Sequence, residues 1–171
     1  AMLVVRPNVV NIVVCGRTEE SSRAFLEDPE VKALADGRQL VAGNPETTGA
    51  CDLVCGCTTS SDPVIPTAAV RPGAHVGLVG SYSTARREVA PDLLTRSSVF
   101  VDNRETAAAE AGDLILASES GTWSFDDIVG DLTELCRNET GRSSDDEITL
   151  FKSVGLAVWD LMVAGTVVNA N

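Results

Sequence analysis

The sequence holds 171 residues, 44% hydrophobic and 22% charged, which is one domain's worth of chain with enough apolar material for a sizeable core. Thirteen Lys and Arg against 25 Asp and Glu give a formal net charge of -12, spread along the chain, which speaks against a nucleic-acid partner and predicts a solvated acidic surface. Neither an 18-residue apolar run nor a secretory leader pattern is present, so no membrane association is expected and a cytoplasmic protein is.

Short β-rich runs alternate with helical stretches, the pattern of an α/β protein with a parallel sheet. Residues 9–15 (Val-Val-Asn-Ile-Val-Val-Cys) form an apolar run of the kind buried on both faces. Gly16-Arg17-Thr18 follows, then a predicted helix over 19–26 with Thr18 as its N-cap. Further strands are predicted at 38–42, 52–57, 74–79 and 99–102, an alanine-rich helix at 103–111 and a last short strand at 114–117.

The final third reads as helical. Apolar positions Ile128, Val129, Leu132 and Leu135 predict a helix over 126–136, and 138–142 is a polar connection. Ser144 with Glu147 three residues on has the form of a capping box, so one long helix is predicted from there. Its expected buried stripe is Ile148, Phe151, Gly155, Val158, Met162 and Thr166.

Five cysteines lie at 15, 51, 55, 57 and 136. Cys51, Cys55 and Cys57 share parity on a strand, but the C-x3-C-x-C spacing lacks a two-residue knuckle and His75 is the sole histidine. Buried structural thiols are expected, with no metal and no disulfide framework. His75 is expected at a strand end.

Four blocks in order carry a family resemblance. They are Arg71-Pro72-Gly73-Ala74-His75-Val76 with Val79-Gly80-Ser81, then Val101-Asp102, then Glu110-Ala111-Gly112-Asp113-Leu114, and the run from Gly141 to Ala157 (GRSSDDEITLFKSVGLA). The sequence resembles the ornithine cyclodeaminase/mu-crystallin family over nearly its whole length. The implied fold is α/β, a Rossmann-like parallel sheet lacking its first strand, with a long C-terminal helix. Residues 1–140 would form the incomplete NAD(P)-binding domain, and 141–171 a helix packing back toward a substrate domain outside this sequence.

No G-x-G-x-x-G motif occurs, although in a Rossmann fold that loop holds the cofactor pyrophosphate. Residues 3–7 resemble the end of the helix that follows the loop in the family. In the strand order 3-2-1-4-5-6 the first strand is central, so its loss exposes an edge on 9–15 and another on 52–57. Self-association into a homo-oligomer is the expected cover.

The resemblance also implies site residues. Arg17 and Thr18 match the position that reads the adenosine ribose, and with no acid before Glu19 the cofactor is NADP or NAD, with NADP favoured. Cys57 and Thr58 would lie against cofactor, as would Val79, Gly80, Ser81 and Tyr82 after the next strand. Arg86 matches a basic position near the phosphates. Ser153 and Val154 match a pair that touches cofactor and substrate respectively. Asp102, Glu110 and Asp113 are expected to be structural caps.

Cyclodeaminases of the family carry a catalytic aspartate where this sequence has Tyr82. A phenol keeps its proton near neutral pH, where a carboxylate has lost it. The expected function is therefore part of an NAD(P)-dependent oxidoreductase, with hydride transfer to or from the carbon of a small amino or imino acid. A cyclodeaminase of ammonia-lyase type is one alternative and a non-catalytic, truncated binding protein another. The isolated chain is expected to be inactive.

Overall fold

The computed structural model describes residues 2–46 and 51–169, which fall into two compact units, 1–49 and 50–171. The first unit contains α1 (Met2–Val5), β1 (Asn11–Val14), α2 (Glu19–Glu27), α3 (Pro29–Ala35) and β2 (Gln39–Ala42). β1 and β2 pair in parallel, from Asn11 beside Gln39 to Val14 beside Ala42. Thr18 caps α2 as its sequence implied. Its Oγ1 accepts from the Ser21 N–H at 3.1 Å, and Ser21 Oγ accepts the Thr18 N–H in return. Such a reciprocal pair satisfies donors that a helix start leaves free.

Burial on both faces of β1 was expected; instead exposed and half-buried residues alternate. Among the described residues the strand has a pairing partner on one side only, and Val13 stays 36% exposed.

The second unit contains β3 (Cys51–Gly56), β4 (Val70–Leu78), α4 (Pro91–Thr95), β5 (Ser97–Val101), α5 (Arg104–Glu110) and α6 (Gly112–Glu119). β6 (Ile128–Asp131), α7 (Leu132–Cys136), β7 (Ile148–Lys152) and α8 (Ala157–Asn169) complete it. Its five-stranded sheet has the order β3-β4-β7-β5-β6 with every pairing parallel. Val76, Leu78, Val99, Val101 and Leu150 are fully buried, as residues of a sheet covered on both faces should be. Leu93 and Leu94 of α4, Ala107 of α5 and Leu114 and Ala117 of α6 pack into the same core. Trp123 joins them, meeting Phe125 edge-on at 5.5 Å.

Three element expectations are corrected. The long helix from Ser144 does not form: Ile148–Lys152 is a central strand, and the helix begins only at Ala157. Gly155, with φ at +89°, separates the two, a conformation that favours glycine and ends the run. Glu147 does cap, but it serves the turn before the strand, accepting from the Ser143 and Ser144 N–H groups. The stripe dissolves accordingly, with Ile148 buried in the sheet while Val158 and Met162 lie exposed on α8.

The predicted helix over 126–136 is a single turn at Phe125–Asp127, then β6, then α7. Asp131 starts α7 by accepting from the Thr133 and Glu134 N–H groups, a second capping signal inside the apolar pattern. Residues 114–117 lie in α6, where Leu114 and Ala117 are one turn apart and both buried. His75 stands within β4, its Nδ1 2.9 Å from Thr149 Oγ1.

The cysteines also differ from expectation. Cys15, Cys55, Cys57 and Cys136 are exposed and Cys51 is half-buried; Cys51 and Cys55 lie on β3, the first strand in the order of its sheet. Among the described residues no helix is long and apolar enough to cross a membrane.

Among the described residues one ion pair is fully buried. Lys152 Nζ lies 3.2 Å from Asp113 Oδ2, and both side chains are completely shielded. Removing one partner of such a pair strands the other charge, so Lys152→Met is predicted to cost about 3–5 kcal/mol. Urea unfolding measures it, and a loss under about 1 kcal/mol would show the pair to be dispensable.

Burial pushes the Glu147 carboxyl up, but donors from Ser98, then Ser143 and Ser144, outweigh it and hold the group below its ordinary 4.5. A carboxyl depressed by folding stabilises above its unfolded value, and that stability is lost as pH falls through the lower folded value. Melting curves of Glu147→Gln should therefore depend less on acid below pH 4.5 than those of the wild type. Equal slopes would refute it.

Candidate functional site

Parallel strands put all their carboxyl ends on one edge of a sheet, which is where open α/β folds bind ligands. In the second unit the backbone carries this alignment one residue beyond the strands. Val79 N–H donates to Gly56 O at 3.0 Å, Ser153 N–H to Leu78 O at 3.0 Å, and Asp102 N–H to Lys152 O at 3.3 Å. The turns after β3, β4, β7 and β5 thus leave the sheet side by side. Cys57 and Thr58, Val79 to Tyr82, and Ser153 and Val154 all belong to these turns, so the structure brings those predicted residues to one edge. Arg17 and Thr18 follow β1 in the first unit, where both are exposed.

Buried carboxylates organise the edge. Glu88, fully buried, sends Oε1 to the Thr58 N–H at 2.6 Å and Oε2 to the Gly80 N–H at 3.0 Å. Asp113 holds Glu88 in turn, its Oδ1 accepting from the Glu88 and Val89 N–H groups at 2.6 and 3.1 Å. The other oxygen of Asp113 faces Lys152, near in distance but off the hydrogen-bonding axis. Gly80 has to be glycine, since a Cβ there would stand 2.0 Å from Thr58 O.

Asp102, 2% exposed, does the same for the turn after β7. Its Oδ2 accepts from Ser153 Oγ, Val154 N–H and Gly155 N–H, each at 2.9 Å, while Oδ1 accepts from Asn103 N–H. Asp102 and Asp113 were expected as caps. Each instead holds a turn belonging to a different element.

The remaining predicted residues differ in accessibility. Ser81 is completely buried and its hydroxyl donates to Arg86 O, closing the loop between them. Tyr82 is 57% exposed, and the Arg86 guanidinium stands 5.9 Å from its ring centre. Val79 is exposed, Thr58 half-buried and Ser153 buried. Burial raises the Cys57 thiol pKa, and the Glu88 carboxylate adds to the rise. Glu88 was not among the expected residues. It sits between Arg87 and Val89 in no recognisable motif, and only its place in the fold reveals it.

With this geometry in view, a model of the ornithine cyclodeaminase/mu-crystallin family matches residues 3–171. The chain belongs to that family. A family relative from Paracoccus denitrificans, a Delta(1)-pyrroline-2-carboxylate reductase, is 35% identical over 165 residues, covering 96% of this chain and 52% of that protein. The solved Delta(1)-pyrroline-2-carboxylate reductase of Thermococcus litoralis, in complex with NADH and L-proline, superposes with a TM-score of 0.82 at 30% identity. That match covers 91% of this chain and 48% of the other. An archaeal alanine dehydrogenase dimer with bound NAD gives a TM-score of 0.83 at 25% identity over 92% of this chain and 48% of its own. The chain spans about half the length of the curated relatives it matches.

Asp102→Ala removes the acceptor of four donors in a water-poor site, each costing about 1–3 kcal/mol if left unpaired. A stability loss of about 3 kcal/mol is predicted, with faster amide exchange at Val154 and Gly155 than at Leu150. Unchanged protection at those two amides would show that the turn holds itself.

Proposed function

We propose that this chain is the nicotinamide-dinucleotide-binding part of an oxidoreductase that moves hydride to or from the carbon of a small amino or imino acid. The observation that carries the reading is the row of turns after β3, β4 and β7, which places Thr58, Gly80 and Ser153 on one edge. Relatives named as pyrroline-2-carboxylate reductases, and a structural neighbour holding NADH and L-proline, support the substrate class.

The donor set suits a dinucleotide. Hydroxyls at Thr58 and Ser153 match ribose and carboxamide groups, Gly80 lets the turn after β4 close against Thr58, and Arg86 is a cation of the same region. When bound, the nicotinamide supplies the hydride chemistry. The protein's residues bind and orient: Asp102 fixes the Ser153–Val154 turn, and Val154 presents the apolar contact assigned to substrate. Tyr82 is exposed beside Arg86 and offers a phenol where the family's cyclodeaminases have a carboxylate. That difference favours simple hydride transfer over cyclodeamination.

NADP is favoured over NAD. Arg17 is exposed after β1 and has no ion-pair partner among the described residues, while the nearest acid, Glu19, is taken by Arg23. An exposed arginine at that strand end suits a 2′-phosphate, and an engaged glutamate is poorly placed to accept a ribose hydroxyl.

Fluorescence titration of the chain with NADPH and NADH tests both parts. NADPH should bind the tighter, and Arg17→Ala should weaken NADPH about tenfold while barely changing NADH. Binding of neither nucleotide would overturn the function, whereas equal effects of Arg17→Ala on both would overturn only the preference.

A further inference from the structure

Amides at the carboxyl ends of parallel strands are ready-made anion donors, and in α/β folds they commonly face a ligand. In this chain two of them, at Thr58 and Gly80, are already spoken for by the protein's own Glu88. One oxygen of the planar carboxylate serves each turn, so a single rigid group spans the gap between the end of β3 and the end of β4. Nothing in the catalytic reading needs Glu88 to touch a ligand, and its complete burial excludes that it does so as placed.

Glu88 is itself held from behind. Asp113 grips its backbone N–H, Lys152 neutralises Asp113, and Lys152 is the residue before Ser153. A continuous line of contacts therefore joins the turns after β7, β4 and β3 through three shielded charged side chains. A purely structural carboxylate would have been cheaper to omit, since buried charge costs free energy unless its partners are well placed.

We propose that Glu88 is a positioning residue for the dinucleotide site, its carboxylate setting the separation of the Thr58 and Gly80 turns and so the shape of the edge that receives the cofactor. This rests on the cofactor reading above. Two consequences follow from the geometry. The Thr58 and Gly80 N–H groups are not ligand donors, so contacts from these turns come through their other groups, the Thr58 side chain among them. Cys57, next to the clamp, feels the Glu88 charge and reports on it.

The test uses the 171-residue chain and Glu88→Gln, which keeps the shape but turns an NH2 group toward one of the two amides. Leu94→Ala, a cavity in the core away from the edge, serves as the destabilised control. Three readings are made: the Thr58 and Gly80 amide proton shifts, the rate at which iodoacetamide alkylates Cys57, and the dissociation constant for NADH. In Glu88→Gln the two amide signals should move together, Cys57 should react faster, and NADH should bind about tenfold more weakly. Leu94→Ala should leave all three nearly as in the wild type.

Wild-type affinity for NADH in Glu88→Gln would overturn the proposal alone, as would an equal loss of affinity in Leu94→Ala. A wild-type chain that binds neither NADPH nor NADH would instead overturn the cofactor reading, and this proposal with it.

Discussion

The last strand in the sequence is the middle strand of the sheet, and the second unit depends on that placement. β4 and β5 do not touch as ladder partners; each pairs with β7, so the sheet has no continuous centre until residues 148–152 are in place. A core built this way is dominated by pairings between distant parts of the chain, whose loop-closure entropy must be met before any contact repays it. β7 also ends on Lys152, which drives an ammonium group into the interior against Asp113. The same five residues that close the sheet therefore fix the charge on which the neighbouring turns are anchored.

Those turns share one device. Where a strand ends, its next backbone N–H groups lose their ladder partners, and leaving them buried and unpaired is costly. Asp102, Glu88 and Asp113, all 2% exposed or less, answer this with carboxylates that accept donors from a turn on another element. Each link therefore ties two parts of the fold and not merely one turn to itself. The site edge inherits its rigidity from these links, because Thr58, Gly80, Ser153 and Val154 are the residues whose backbones or hydroxyls they hold.

How much of this the sequence disclosed varies from element to element. The apolar runs at 9–15, 74–79 and 99–102 fall on β1, β4 and β5, although β4 starts earlier, at Val70, and passes through Pro72 and Gly73; Thr18 announced its helix. β7 escaped notice because Ile148, Phe151 and Gly155 fall at helical spacing by coincidence, and Glu147 mimicked a capping acid while serving a different turn. β6 was hidden in the same way, with Asp131 and Glu134 marking the true helix start inside an apolar pattern. The proposed site residues were legible only through the resemblance to a family, whose shared positions suggest which residues would face a ligand. They say little about what holds the turns from behind. Glu88 shows the limit: an acid beside two arginines reads as surface, and its burial depends on where β3 and β4 end.

Saturating the strand-end amides also decides what kind of ligand group the edge favours. Glu88 removes the Thr58 and Gly80 donors, while Asp102 takes the Ser153 hydroxyl proton and the Val154 and Gly155 amides. Ser153 Oγ additionally accepts from Gly155 N–H at 3.2 Å, which leaves it a single free lone pair. Of these groups, what remains available is acceptor oxygen. Acceptors welcome hydroxyl and amide N–H groups and repel phosphate or carboxylate oxygens. Anionic parts of a ligand are therefore left to cations off the strand ends, of which Arg86 and Arg87 are on the loop after β4. A dinucleotide bound here as proposed would turn its sugar and carboxamide donors toward the sheet and its charge away from it. Internal carboxylates thus hold the edge together and, by the same bonds, set its polarity.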